Sequence, residues 1–340
     1  MKDRFVLARF FRPVAGAAVG TCLLVLAAVH AAPAATAEQV KGPSRGYLTT
    51  PQELAEIKRK ADLGIEPYRS AVSAVVAYAQ GGFLTKASGT VDCKASATPQ
   101  YLAHGAPLAY ACALAYQLTG DVRYAAKAKG GIQGLYAITG LQAGGDCPLT
   151  MGRLMPAWIC AADLIEDYWS KSEKREFQNW LAALVYPALL TKYARGNNWG
   201  AVITNAGQYV ADYCWDRPEL KLGGETPAAA YIRMRQAALD RMNGLIFDTC
   251  GEGVSMIRPD GGIPEELRRT TTCDETKLTA NSSAHGYTEG WLSGAIGQAE
   301  LCLRRGDNAL YENLMTTAGQ TPGGKSCPRG GDPSRRPSIS

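Results

Sequence analysis

The chain has 340 residues, 46% of them hydrophobic and 20% charged, with 37 Gly and 18 Pro. That is enough apolar material for a sizeable core, and it excludes wholesale disorder, collagen and a coiled coil. The formal charge of +5 includes a basic leader; from residue 38 onward 32 basic residues face 30 acidic ones, a net of +2, which gives no bulk electrostatic case for binding nucleic acid.

Lys2, Arg4, Arg9 and Arg12 form a basic start, Val14–Val29 is an uncharged run of 16 residues, and Ala35-Thr36-Ala37 supplies small residues for cleavage. The run is short for a membrane span of about 20 residues. Residues 1–37 are therefore predicted to be a signal peptide and 38–315 the folded domain, periplasmic or secreted, off the membrane once cleaved, and monomeric. Nine cysteines follow the leader. An oxidising compartment permits disulfides, and the loop-like settings of Cys93, Cys147, Cys250 and Cys273 make them the expected partners. No cysteine or histidine spacing suits zinc, so no metal and no other cofactor is expected.

The period along the chain is helical. Thr50-Pro51-Gln52-Glu53 predicts a capped helix with Leu54, Ile57 and Ala61 on one face, stopping near Gly64. Helices are expected at Pro67–Ala79, Ala106–Leu118, Val122–Leu135 and Met151–Trp169, with Ser170–Glu173 boxing the start of the next. Asn198–Tyr213, Thr226-Pro227 to about Phe247, and His285–Arg304 complete the set, the last being the final helix. Strand signals are scarce. Amphipathic helices in consecutive pairs can bury their apolar faces only against neighbours, so the pattern predicts an all-α array, an incomplete α/α toroid built from helical hairpins. The long loops 81–103, 139–150 and 248–283 would gather at a rim and build a cleft. Gly, Pro and Ser make up 12 of the residues 321–340, so 316–340 reads as a disordered or truncated tail.

Three segments carry chemistry. Arg195-Gly196-Asn197-Asn198-Trp199-Gly200 opens a helix; a helix cap explains one asparagine, while a pair beside an indole also suits a sugar carboxylate and a sugar face. Pro259–Arg269 is a turn followed by Glu265-Glu266-Leu267-Arg268-Arg269, either solvated charges or a carboxylate clamp. Ser282–Trp291 places His285 and Tyr287 at a helix start, either group a general acid or base if its pKa is brought toward working pH.

At Asn197-Asn198, at Asp260-Gly261-Gly262 with Glu266-Leu267-Arg268-Arg269, and at Tyr287, the sequence resembles the alginate lyase family of polysaccharide lyases. The likeness runs over residues 47–312 and includes Tyr47–Leu54 and Tyr116–Asp121. It implies an incomplete α/α toroid that cleaves an anionic, uronic-acid polysaccharide by β-elimination. In that scheme Asn198 and Arg269, otherwise Arg268, neutralise the uronate carboxylate, and Tyr287 takes the C5 proton and returns one to the leaving oxygen. Asn197, Trp199, Arg268 and Trp291 become substrate-binding residues. The family carries His after the second Asn where this chain has Trp199, a role that His285 would have to fill. Two rival readings stand beside it: a toroid glycoside hydrolase pairing Asp260 with Glu265 or Glu289, and a non-catalytic polysaccharide-binding or export-scaffold protein that keeps Trp199 and the arginines but needs no Tyr287.

Overall fold

The computed structural model describes residues 46–94, 99–243, 246, 263, 265–266 and 283–316. The leader, most of the loop 247–282 and the tail lie outside them. The first helix, α1 (Pro51–Asp62), starts as its sequence dictates: Thr50 Oγ1 accepts the Glu53 N–H at 3.1 Å and Glu53 Oε2 accepts the Thr50 N–H at 2.6 Å. After α2 (Tyr68–Ala79), helix α3 (Gln100–Thr119) begins six residues before the expected Ala106 and runs through Pro107. Gly120, at φ +75°, ends it in the left-handed region that suits glycine, and Asp121 caps α4 (Val122–Gln133).

Helix α5 (Cys147–Leu164) also starts early, with Pro148 in its first turn, and stops short of Trp169. The Ser170–Glu173 box opens α6 (Lys171–Trp180), which passes through a π-helical turn at Leu181–Val185 into α7 (Tyr186–Leu190). Then come α8 (Asn198–Tyr213), α9 (Pro227–Met242) and α10 (Ala284–Arg304). The helix α11 (Ala309–Thr316), whose Ala309 N–H is accepted by Asp307 at 3.0 Å, was not expected. Eight residues are too few to display a helical period. Also unforeseen are β1 (Gly89–Val91) and β2 (Ile138–Leu141), a short parallel pair joined across a long stretch of sequence.

The fold is all-α, an open toroid of helical hairpins. Its inner layer is α3, α5, α8 and α10, side by side in that order. Their registers show that they run parallel. Gln117 near the end of α3 donates to Leu164 O at the end of α5. Gly152 of α5 lies against Val202 and Ile203 of α8, and down the α8–α10 seam Asn198, Ala201 and Asn205 meet Gly290, Gly294 and Gly297. The outer helices return antiparallel: Tyr101 of α3 bonds Gly131 O of α4, and Gly207 and Gly200 of α8 meet Met234 and Arg241 of α9. All four inner helices thus begin at one rim.

Helix α8 is the centre. Every residue from Gly200 to Tyr213 is buried, as expected of a helix surrounded on all sides. Its polar groups are met inside the core: Gln298 Nε2 donates to Gln208 Oε1 at 2.5 Å and to Met234 O at 2.9 Å. At its far end Asp212 is held by Arg305 through Nε at 2.7 Å and Nη2 at 2.6 Å, both side chains no more than 2% exposed. Arg305 also donates to Gly46 O at 3.1 Å, and Gly46 N–H is accepted by Asp163 of α5. Tyr47 stacks on Tyr209 at 4.8 Å. The strap 46–50 therefore closes the far end of the inner layer. At the near end Cys93 and Cys147 form a disulfide that joins the loop before α3 to the first turn of α5. Two of the four expected partners are thus paired with each other; Cys250 and Cys273 lie outside the described residues. Cys112, Cys160, Cys214 and Cys302 are buried free thiols. No helix among the described residues is long and apolar enough to cross a membrane.

Two changes test this packing by thermal or urea unfolding. Asp212→Ala strands a buried guanidinium and is expected to cost about 3–5 kcal/mol. A Cβ at Gly294 would stand 2.5 Å from the Ala201 carbonyl carbon, so Gly294→Ala forces α10 off α8 and is expected to cost about 1–3 kcal/mol, whereas Gly286→Ala, with open space around it, costs nothing.

Candidate functional site at the rim of α8 and α10

The chain enters α8 through a tight fold-back. A Cβ at Gly200 would lie 1.9 Å from Arg195 O, so only glycine allows residue 195 to sit over the first turn of the helix. Arg241, 2% exposed, holds that loop: its Nε donates to Arg195 O at 3.0 Å, Nη2 to Tyr193 O at 2.9 Å and Nη1 to Thr204 Oγ1 at 3.2 Å. Burial lowers its pKa to about 9, still cationic at neutral pH.

Asn197 is the N-cap, its Oδ1 accepting the Trp199 N–H at 3.0 Å. The Asn198 N–H is accepted by Glu266 Oε1 across 68 residues of sequence. Glu266 and Glu265 are buried, at 0% and 2% exposure. A carboxylate at this point satisfies an orphan amide and faces the positive end of the helix dipole. The second sequence segment is therefore physically tied to the first. The Asn198 side chain, 2% exposed, lies against α10: its Nδ2 is 3.2 Å from where a Cβ of Gly290 would stand. Tyr287 is half-buried and one turn nearer the rim on the same helix, three residues before Gly290. Asn198 and Tyr287 thus belong to one corner of the rim.

Other expected residues are placed elsewhere. Trp291 is 1% exposed, so its indole is part of the core and offers no face to a sugar; the substrate-binding expectation is corrected here. His285 is also corrected. It is 85% exposed and bonds Glu289 at 2.9 Å along the outside of α10, and two helical steps turn it about 200° from Tyr287. The hydrolase pairing of Asp260 with Glu265 or Glu289 is not tested, because Asp260 lies outside the described residues. Trp199 is half-buried with the Arg195 guanidinium over its ring at 4.3 Å. Arg268, Arg269 and Asp260 lie outside the described residues. Among those described, no group of three His, Cys, Asp or Glu side chains is placed to hold a metal ion. An apolar groove lined by Tyr78, Leu84, His104 and Leu108, between α2 and α3, contains none of the site residues.

The structure of an alginate lyase from Bacteroides ovatus matches this chain with a TM-score of 0.53 at 15% identity, over 80% of this chain and 82% of that one. The likeness is one of fold. No family model and no curated protein matches the sequence.

Sequence reasoning missed Arg241 and the capping role of Glu266. Each acts across a large separation, and no local pattern announces it. Glu266→Ala removes the acceptor of a buried amide and is expected to cost about 1–3 kcal/mol, read as a lower unfolding midpoint; Glu266→Gln, which keeps an acceptor, loses less.

Proposed function

We propose that the chain is a polysaccharide lyase that cleaves alginate or a related uronan by β-elimination outside the cytoplasm, acting as a monomer on an anionic polysaccharide. The observation that supports this reading is that Asn198 lies against Gly290 of α10, one helical turn from Tyr287, in a fold like that of an alginate lyase. Arg268 and Arg269 follow, by two and three residues in the sequence, the Glu266 whose carboxylate accepts the Asn198 N–H.

Elimination calls for these residue types. The C5 hydrogen of a uronate is barely acidic while its carboxylate is charged. In this scheme Arg269 neutralises that carboxylate and the Asn198 amide, 2% exposed against Gly290, turns outward to join it, so charge can build on it in the transition state, where binding accelerates the reaction. The Tyr287 phenolate takes the C5 proton, the C–H electrons form the C4–C5 double bond, and the C4–O bond breaks. The phenol so formed then protonates the leaving glycosidic oxygen. The products are a reducing end and an unsaturated end.

Incubation with polymannuronate, polyguluronate and glucuronan should give ultraviolet absorbance from unsaturated ends on at least one polymer. Tyr287→Phe should lose about 10²-fold or more with its unfolding midpoint unchanged. New reducing ends without absorbance would replace this reading with hydrolysis, and no cleavage of any uronan would leave a binding protein.

A further inference from the structure

Arg195 and Trp199 form a unit that the mechanism above does not use. The guanidinium carbon sits 4.3 Å from the centre of the Trp199 ring, on its face. Both residues are half-buried, so the pair reaches solvent at the rim. Among the described residues Arg195 has no carboxylate partner. Its backbone is fixed as well, because Arg195 O accepts from Arg241 at 3.0 Å and the segment is clamped over Gly200. A side chain anchored at its carbonyl and at its head keeps little freedom to lose on binding.

Stacking changes what each partner offers. The indole face beneath the guanidinium is covered, so that face cannot stack on a sugar. The guanidinium uses only its π face in the stack; its N–H donors lie in its own plane and stay free for a planar acceptor. A carboxylate fits that fork with two parallel hydrogen bonds. Arg195 O also lies against Gly200 in the first turn of α8, the turn that carries Asn198, where the lyase reading puts the reacting uronate.

We propose that Arg195 binds the carboxylate of a uronate unit next to the one being cleaved, and that Trp199 is the positioning residue that holds it there. This rests on the lyase reading. The pair supplies selection for an anionic chain over a neutral one and takes no part in proton transfer.

The test combines the absorbance assay with native gel electrophoresis through gels containing polymannuronate, polyguluronate or glucuronan. Arg195→Gln is expected to raise KM about tenfold or more while kcat stays within about twofold, and to lose retardation in the gel. Trp199→Leu should do the same, Trp199→Phe should recover most of the effect, and Arg195→Gln combined with Trp199→Leu should be no worse than either change alone. Thermal unfolding of each variant separates misfolding from lost binding. An Arg195→Gln enzyme with unchanged KM and retardation, or with a lower kcat at unchanged KM, overturns this inference and leaves the lyase intact. A parent protein that neither cleaves nor is retarded by any uronan overturns the lyase reading and this inference with it.

Discussion

The buried pair of Asp212 and Arg305 is the constraint around which the rest is arranged. A helix packed on every side cannot leave an ionised group at its end without an opposite charge and donors to match. Arg305 supplies both through two parallel bonds, and its Nη1 reaches the strap at Gly46. One guanidinium therefore joins the end of α8, the end of α10 and the start of the described chain. With that end locked, the parallel register of α8 and α10 follows upward through Gly297, Gly294 and Gly290.

That register decides what happens at the opposite rim. Because glycines line the α10 side of the seam, the two helices approach closely enough for Asn198 to lie against the turn that carries Tyr287. The Glu266 carboxylate fixes the helix start from one side and Arg241 fixes the preceding loop from the other. Charged groups buried at a helix terminus are an electrostatic cost unless they are paired in this way, and here the pairing also sets the position of the polar corner. The proposed site is thus framed by structural residues that need never touch a substrate.

Much of this was legible in the sequence, for local reasons. The two capping boxes and the bounds of α8 follow from side chains that act within a few residues, and the all-α hairpin order follows from the helical period. What was not legible depends on distance. Pro107 sits inside α3, which opens after Pro99 without a side-chain cap, and the Asp146 and Pro148 that mark the start of α5 make no side-chain cap bond, so both helices were expected too short. Trp291 and Tyr287 look equivalent in the sequence; only the packing of α10 separates a core indole from a rim phenol. His285 and Tyr287 are close in sequence yet point to different sides, a matter of helical phase. The tie between Glu266 and Asn198 is a tertiary event with no local signature.

The strap has a consequence for how the molecule comes into being. Gly46 emerges from the ribosome early, yet the arginine that receives its carbonyl is made 259 residues later. At roughly 5–20 residues per second, the first segment waits on the order of ten seconds or longer for its partner. The toroid cannot close behind the chain as each hairpin appears; its final seam forms only after the last long helix exists, and until then α8 lacks the cover that α10 gives one of its flanks.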